Sequence, residues 1–365
     1  MKQYITRRLM GAAALAMAVA AGQMAQGASG SIVTVASTVP PNGDVNPYGV
    51  AVVPDSIGNL VQGHILVSNF NNSLNLQGTG TTIVDIAPNG ATTLFAWIDA
   101  AALPGACPGG VGLTTALAVL RAGWVIVGSL PTTDGTSATA QAGCLIVLNN
   151  EGAVVETITG NLINGPWDMA ALDMGTTADL FVTNVLNDTV AGNGSLVDEG
   201  TVVRIDLGLS QTTMPWVASM TTIGSGFPER TDPAALVIGP TGLGLAPDGT
   251  LYVADSLENR IASISNAASR TATAGIGVTV SRSPSLNDPL GLTVRPSNGN
   301  ILTVNGNNGL LVETTPSGAQ VSSVLLDKSG SPPGSGALFG LSPAHEGLFF
   351  VDDATNTLNL LTIAP

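Results

Sequence analysis

Gly242–Ser265, GLGLAPDGTLYVADSLENRIASIS, decides how the rest of the chain is read. An apolar run opens it, Pro247-Asp248-Gly249 turns it, and Leu251–Asp255 is a second apolar run that ends on an acid. Asn259-Arg260 then leads into a third run. Short apolar runs punctuated by Gly, Pro, Asn and Asp are strands joined by tight turns. The same order of parts returns about six times between Asn46 and Pro365. Second runs read HILVSN (64–69), WVIVGS (124–129), LFVTN (180–184), LYVAD (251–255), ILTVN (301–305) and LFFVD (348–352). Each follows a first run, from YGVAVVP (48–54) to LFGLSP (338–343), and precedes a third, from TIVDIAP (82–88) to LNLLTI (358–363). One such unit cannot bury its own apolar faces, so the copies must stack on one another.

Fourth runs such as AVVETIT (153–159) and AQVSSVLL (319–326) follow most copies, but the last copy has none. A spare run, SIVTVAS (31–37), precedes the first copy. Docking that run beside the last copy closes the ring and removes an exposed strand edge. The expectation is an all-β, six-bladed β-propeller of four-stranded blades over residues 31–365, closed by the mature N-terminal strand.

Composition agrees with an all-β chain: 45 Gly and 22 Pro, with 10% of residues charged. Residues 1–28 differ from the rest. Lys2, Arg7 and Arg8 precede the apolar run Leu9–Ala21, and small residues follow at Gly22, Ala25, Gly27 and Ala28. That is the layout of a secretory signal peptide, which predicts an exported, periplasmic or extracellular protein. Thr6-Arg7-Arg8 leaves a twin-arginine route open as an alternative. No later apolar run is long enough to span a bilayer. A formal charge of −14 disfavours nucleic acid and anionic lipid as partners. Small molecules and other proteins stay open. Cys107 and Cys144 are expected to form a disulfide in an oxidising compartment, the alternative being two buried thiols.

With these residues in view, 240–265 resembles an NHL repeat. Asp248, Gly249, Tyr252, Val253, Ala254, Asp255, Asn259 and Arg260 match its pattern. The copies at 289–315 and 47–88 match in part, and those at 112–149, 166–207 and 338–363 weakly. The resemblance implies a six-bladed propeller and no single activity.

The start of each first strand and the end of each second strand share one face of such a propeller. That places Asn69, Gly128, Asn184, Asp255, Asn305 and Asp352 in a ring at the channel mouth, five of the six being Asn or Asp. Carboxylate and amide oxygens suit a hard cation such as Ca2+. The ring also resembles the channel site of gluconolactonase-type propellers, which hold a divalent metal. That likeness, a distant one shared with strictosidine-synthase-type propellers, implies Ca2+ on Asn69, Asn184, Asp255, Asn305 and Asp352. The other reading is that these side chains bond nearby backbone N–H groups and shape turns. A Glu at an inner-strand start, usual in the lactonase type, is missing.

Asp168 starts the inner strand of the third copy and is expected on the same face. Two long loops on that face, 187–200 and 224–242, carry Asp198, Glu199, Glu229, Arg230 and Asp232, a candidate binding rim. Their other reading is solvated insertions. His64 and His345 fall on the opposite face, and no nucleophile elbow, phosphate loop or zinc-protease motif is present. Two functions follow as expectations: a module binding a small molecule or protein through the channel-mouth face, or a calcium-dependent lactonase-like hydrolase.

Overall fold

The inner strands are Val45–Val52, Leu113–Val119, Pro166–Asp173, Pro240–Leu245, Pro289–Val294 and Leu338–Ala344. Each opens a sheet, and the chain then winds outward through antiparallel partners. Six sheets result, five with four strands and the third with an added fifth. Neighbouring inner strands touch in chain order and the sixth touches the first, so the sheets form a closed ring of blades. The computed structural model of the chain describes residues 30–362. The 1–28 signal-peptide assignment lies outside the described residues.

Closure occurs as the spare run requires. Ile32–Ser37 pairs antiparallel with Thr357–Leu361 at the outside of the sixth blade. The Thr34 hydroxyl donates to Asn359 Oδ1 at 2.8 Å, and Thr38 N–H donates to the Asn356 carbonyl at 3.0 Å. The core lies mainly between blades. Leu243, Val253 and Ile264 of the fourth blade, for example, pack on Phe181, Val202 and Phe227 of the third. Alternation along each strand sends one set of side chains to the blade before and the other to the blade after.

Residues 224–242 are not a loop. The fourth strand of the third blade runs unbroken over Trp216–Asp232 and folds back through Leu236–Ile238. Residues 197–200 of the other segment belong to the long third strand, Val197–Gly208. Buried Ile223 and Phe227 hold the extension down, which the Gly, Pro and Asp turn signals of that stretch conceal. Cys107 and Cys144 are joined, with Cα atoms 5.1 Å apart. The bond settles the alternative of free thiols. It ties 128–143, the extension of the second blade, to the segment leading into that blade.

Candidate functional site at the channel mouth

The ring of second-strand ends is present, with one change. Register pairs Leu113 with Ser129, so Ser129 holds the position assigned to Gly128. The others face inner-strand starts: Asn69 opposite Pro47, Asn184 opposite Pro166, Asp255 opposite Pro240, Asn305 opposite Pro289, and Asp352 opposite Leu338. Their side chains turn to their surroundings. Asn69 Nδ2 donates to the Thr38 carbonyl at 3.1 Å. Ser129 Oγ accepts from Gly112 N–H and donates to the Gly110 carbonyl. Asn184 and Asn305 accept from Asn164 and Asn287 N–H at 3.3 and 3.1 Å. Asp352 accepts from Thr355 N–H at 3.2 Å. Asp255 Oδ2 accepts from Arg260 Nε at 2.8 Å, with both side chains fully or almost fully buried.

The space these residues surround is apolar. Tyr48 stacks on Phe339 at 3.8 Å and on Phe70 at 4.4 Å between centroids. Trp167 of the third blade lies 6.4 Å from Phe339 of the sixth, a contact that crosses the axis because these blades are opposite. Leu290 completes the plug from the fifth blade. Asn69 Oδ1 and Asp255 Oδ1 are buried and have no hydrogen-bond partner, but they sit in opposite blades with the plug at their level between them. Among the described residues no three His, Cys, Asp or Glu side chains gather where they could hold a metal. As arranged, the ring does not fit one shared Ca2+.

The fifth strand of the third blade forms a cap over this plug. Leu236 and Val237 are buried in the plug itself. Val237 N–H bonds the Ala235 carbonyl at 2.8 Å, closing a tight turn in which Leu236 adopts φ +65°. A branched side chain is strained there and persists only where its surroundings fix it. The tip is tied to the first blade, where Gln77 Nε2 donates to the Pro233 carbonyl at 3.1 Å. The hairpin therefore crosses the mouth from the third blade to the first.

Two clefts flank it. One, about 330 Å3, lies between the hairpin and blades four to six, with Arg230 and Asp232 on one wall, Asp288 and Asn307 on the other, and Leu290 and Phe339 below. Arg230 Nη2 is 2.9 Å from Asp232 Oδ2. The other, about 540 Å3, lies on the first-blade side and is lined by Asn46, Asn71 and Asp353. Of the rim residues, Arg230 and Asp232 line the first cleft. Asp198 and Glu199 are exposed and line neither. Glu229 is wholly buried and accepts from Asn187 N–H at 2.9 Å. Asp168 is not on the rim. It lies beneath the plug, in a cavity of about 380 Å3 that runs along the inner strands toward the opposite face.

Asp288 was not among the sequence candidates. It is an acid directly before the Pro that opens an inner strand, a position whose significance shows only once the hairpin lies across from it. The plug had a readable signal. Aromatics make up 4% of the chain, yet Tyr48, Trp167 and Phe339 occupy one position of the repeat.

Burial raises several of these carboxyls: Asp288 to about 6, Asp168 and Asp353 to about 7, and Glu229 to about 8. Neighbouring acids add to burial at Asp288, Asp353 and Glu229. The folded chain thus keeps protons that the unfolded chain loses near pH 4. Their stabilisation is fully present below that pH and is lost as pH rises through the folded values. Urea unfolding at pH 5 and pH 8 should show stability falling toward pH 8; Glu313, held low by its hydrogen bonds and Arg295, adds pH dependence only below about pH 4.5, outside this window. A stability maximum at pH 8 would contradict this assignment.

No protein-family model and no curated protein matches the chain. Solved structures do. An aldose sugar dehydrogenase from Streptomyces coelicolor, in its PQQ-bound form, is 16% identical over 92% of this chain and 99% of that one, with a TM-score of 0.54. Regucalcin from Agrobacterium tumefaciens, described as calcium-binding, is 12% identical over 90% and 94%, with a TM-score of 0.53. A virginiamycin B lyase from Staphylococcus aureus, solved in an inactive form with quinupristin, is 13% identical over 92% and 99%, with a TM-score of 0.51. At such identities the likeness is one of fold. The chain is a six-bladed β-propeller distantly similar to gluconolactonase, regucalcin and virginiamycin B lyase structures.

Proposed function

We propose that the protein is an exported binding module whose ligand sits in the capped cleft between the hairpin and blades four to six. One observation carries the reading. Arg230, Asp232 and Asp288 face one another over a floor of Leu290 and Phe339. Two carboxylates, a guanidinium and the amide of Asn307 supply acceptors and donors around an apolar base. That combination suits a small polyhydroxylated ligand, whose hydroxyls bond the walls while its C–H face lies on the floor. The sugar chemistry named for the aldose dehydrogenase neighbour supports the same class. The Cys107–Cys144 disulfide supports export, since such bonds persist in oxidising compartments.

Calorimetry with D-glucose, D-galactose and D-xylose tests the site. At least one should bind, and Asp288→Asn and Arg230→Ala should each weaken it about tenfold, roughly 1.4 kcal/mol. Equal binding by both variants, or no binding of any sugar, would overturn the reading. The calcium-dependent hydrolase has a separate signature. A melting temperature raised by CaCl2 and restored by EDTA would favour it, and would require the ring to give up the bonds described above.

A further inference from the structure

The inner strands meet closely just below the plug. Gly49, Gly242, Gly291 and Gly340 occupy the same point of four blades, two residues after the inner-strand residue that pairs with the end of the second strand. A Cβ on Gly242, Gly291 or Gly340 would collide with the backbone of the next inner strand. In the third blade this point is Asp168. Its side chain spans to the fourth blade, where Oδ2 accepts from Leu243 N–H at 2.9 Å. An amide would make that bridge as well and would not incur the cost of burying an acid. The bridge alone does not account for a carboxyl.

The cavity does. It is blind toward the ring face, where the aromatic plug and the cap hairpin close it, and it extends to the far ends of the inner strands. Asp168 is at its inner end and is the only titratable one among the described residues that line it. Thr115, Thr293 and Ser342 add hydroxyls, and Val52, Val119 and Leu245 give apolar wall toward the opening. The surrounding protein carries a formal charge of −14, which draws cations and repels anions. We propose that this blind channel is a second binding site, distinct from the capped cleft, for a small organic cation whose ammonium head meets Asp168 and whose alkyl stem lies along Val52, Val119 and Leu245. Binding places a compensating charge beside a carboxylate whose other partners are the uncharged backbone amides of Leu243 and Met169, in a setting of reduced dielectric where such a pair is strengthened.

Calorimetry with n-hexylammonium chloride at pH 8 tests it, with n-hexanol as the neutral isostere. Hexylammonium should bind with one-to-one stoichiometry, and hexanol at least tenfold more weakly. Asp168→Asn keeps an acceptor for Leu243 N–H, so it should preserve the melting temperature while weakening hexylammonium at least tenfold. Ser342→Phe, which fills the channel and leaves Asp168 in place, should block binding by the same measure and keeps the test decisive if Asp168→Asn is poorly folded. No binding of hexylammonium, equal binding of hexanol, or undiminished binding by either folded variant would overturn the proposal. Sugar binding in the capped cleft is unaffected by these outcomes, so the two sites fail separately.

Discussion

Asp255→Ala should cost about 3–5 kcal/mol of stability. The cost comes from what the substitution leaves behind. Arg260 is 1% exposed, and its Nε bonds Asp255. Its other nitrogens bond Thr279 Oγ1 at 3.0 Å and the Ile276 carbonyl at 2.9 Å, and the guanidinium lies 5.9 Å from the Phe227 ring of the third blade. Removing the carboxylate strands a buried cation that cannot leave this cage, and a broken buried pair costs several kcal/mol. Asp255→Asn, which retains an acceptor, should lose only about 2 kcal/mol. Replacing both residues, Asp255→Leu with Arg260→Met, should recover most of the loss, because the desolvation of both charges disappears with them. Urea denaturation of the three variants checks the series. If Asp255→Ala lost less than about 1 kcal/mol, the pair would not be the fastening described here. A metal ligand would behave differently, since its removal would abolish an ion-dependent response and spare the ion-free fold.

The second large effect concerns the Cys107–Cys144 bridge. It closes a loop of 37 residues, and in the chain-entropy account such a closure stabilises by about 4 kcal/mol. Cys144 is buried among Leu113, Val127 and Ile146, so a Cys107→Ser, Cys144→Ala pair removes the link with little change of packing volume. We expect a lower melting temperature, by roughly 1–2 °C per kcal/mol in a chain of this length. We also expect 128–143 to become the first segment cut by a protease. Reduction of the native protein with dithiothreitol should reproduce both effects. Unchanged melting and unchanged cleavage would mean that the packing of the second blade holds the segment without the bond.

How much of this was legible in the sequence depends on the kind of question asked. Blade number and ring closure were legible, because each rests on where apolar runs begin and end, and 251–255, 301–305 and 348–352 repeat that pattern. The destination of the ring side chains was not. Asn and Asp at a strand end serve equally as ion ligands or as acceptors for a neighbouring backbone N–H, and alternation fixes a face without fixing a partner. Only the coordinates show that Asn305 turns to Asn287 and Asp255 to Arg260. In the NHL-like copy, the terminal Asp and the following Arg are a single buried pair, so the most specific piece of the pattern describes a fastening. Residues 224–242 were misread for another reason. Gly224, Gly226 and Pro228 signal a turn, whereas buried Ile223 and Phe227 keep the backbone extended past them. The sequence reading puts Asp168 at the mouth, but Trp167 and Asp168 together form the irregularity between the paired Pro166 and Met169, with the aromatic in the plug and the acid beneath it.

The strand that seals the ring has a consequence for biogenesis. Ile32–Ser37 is made early in synthesis, while its partner Thr357–Leu361 is made among the last residues. At any ordinary elongation rate the early segment waits many seconds without a mate. Even when paired it leaves Ile32 and Val33 exposed, and unpaired it is an uncharged apolar run of high β-propensity, the kind of segment that a wrong strand edge captures. The circle is thus completed by a segment that needs shielding for as long as it waits.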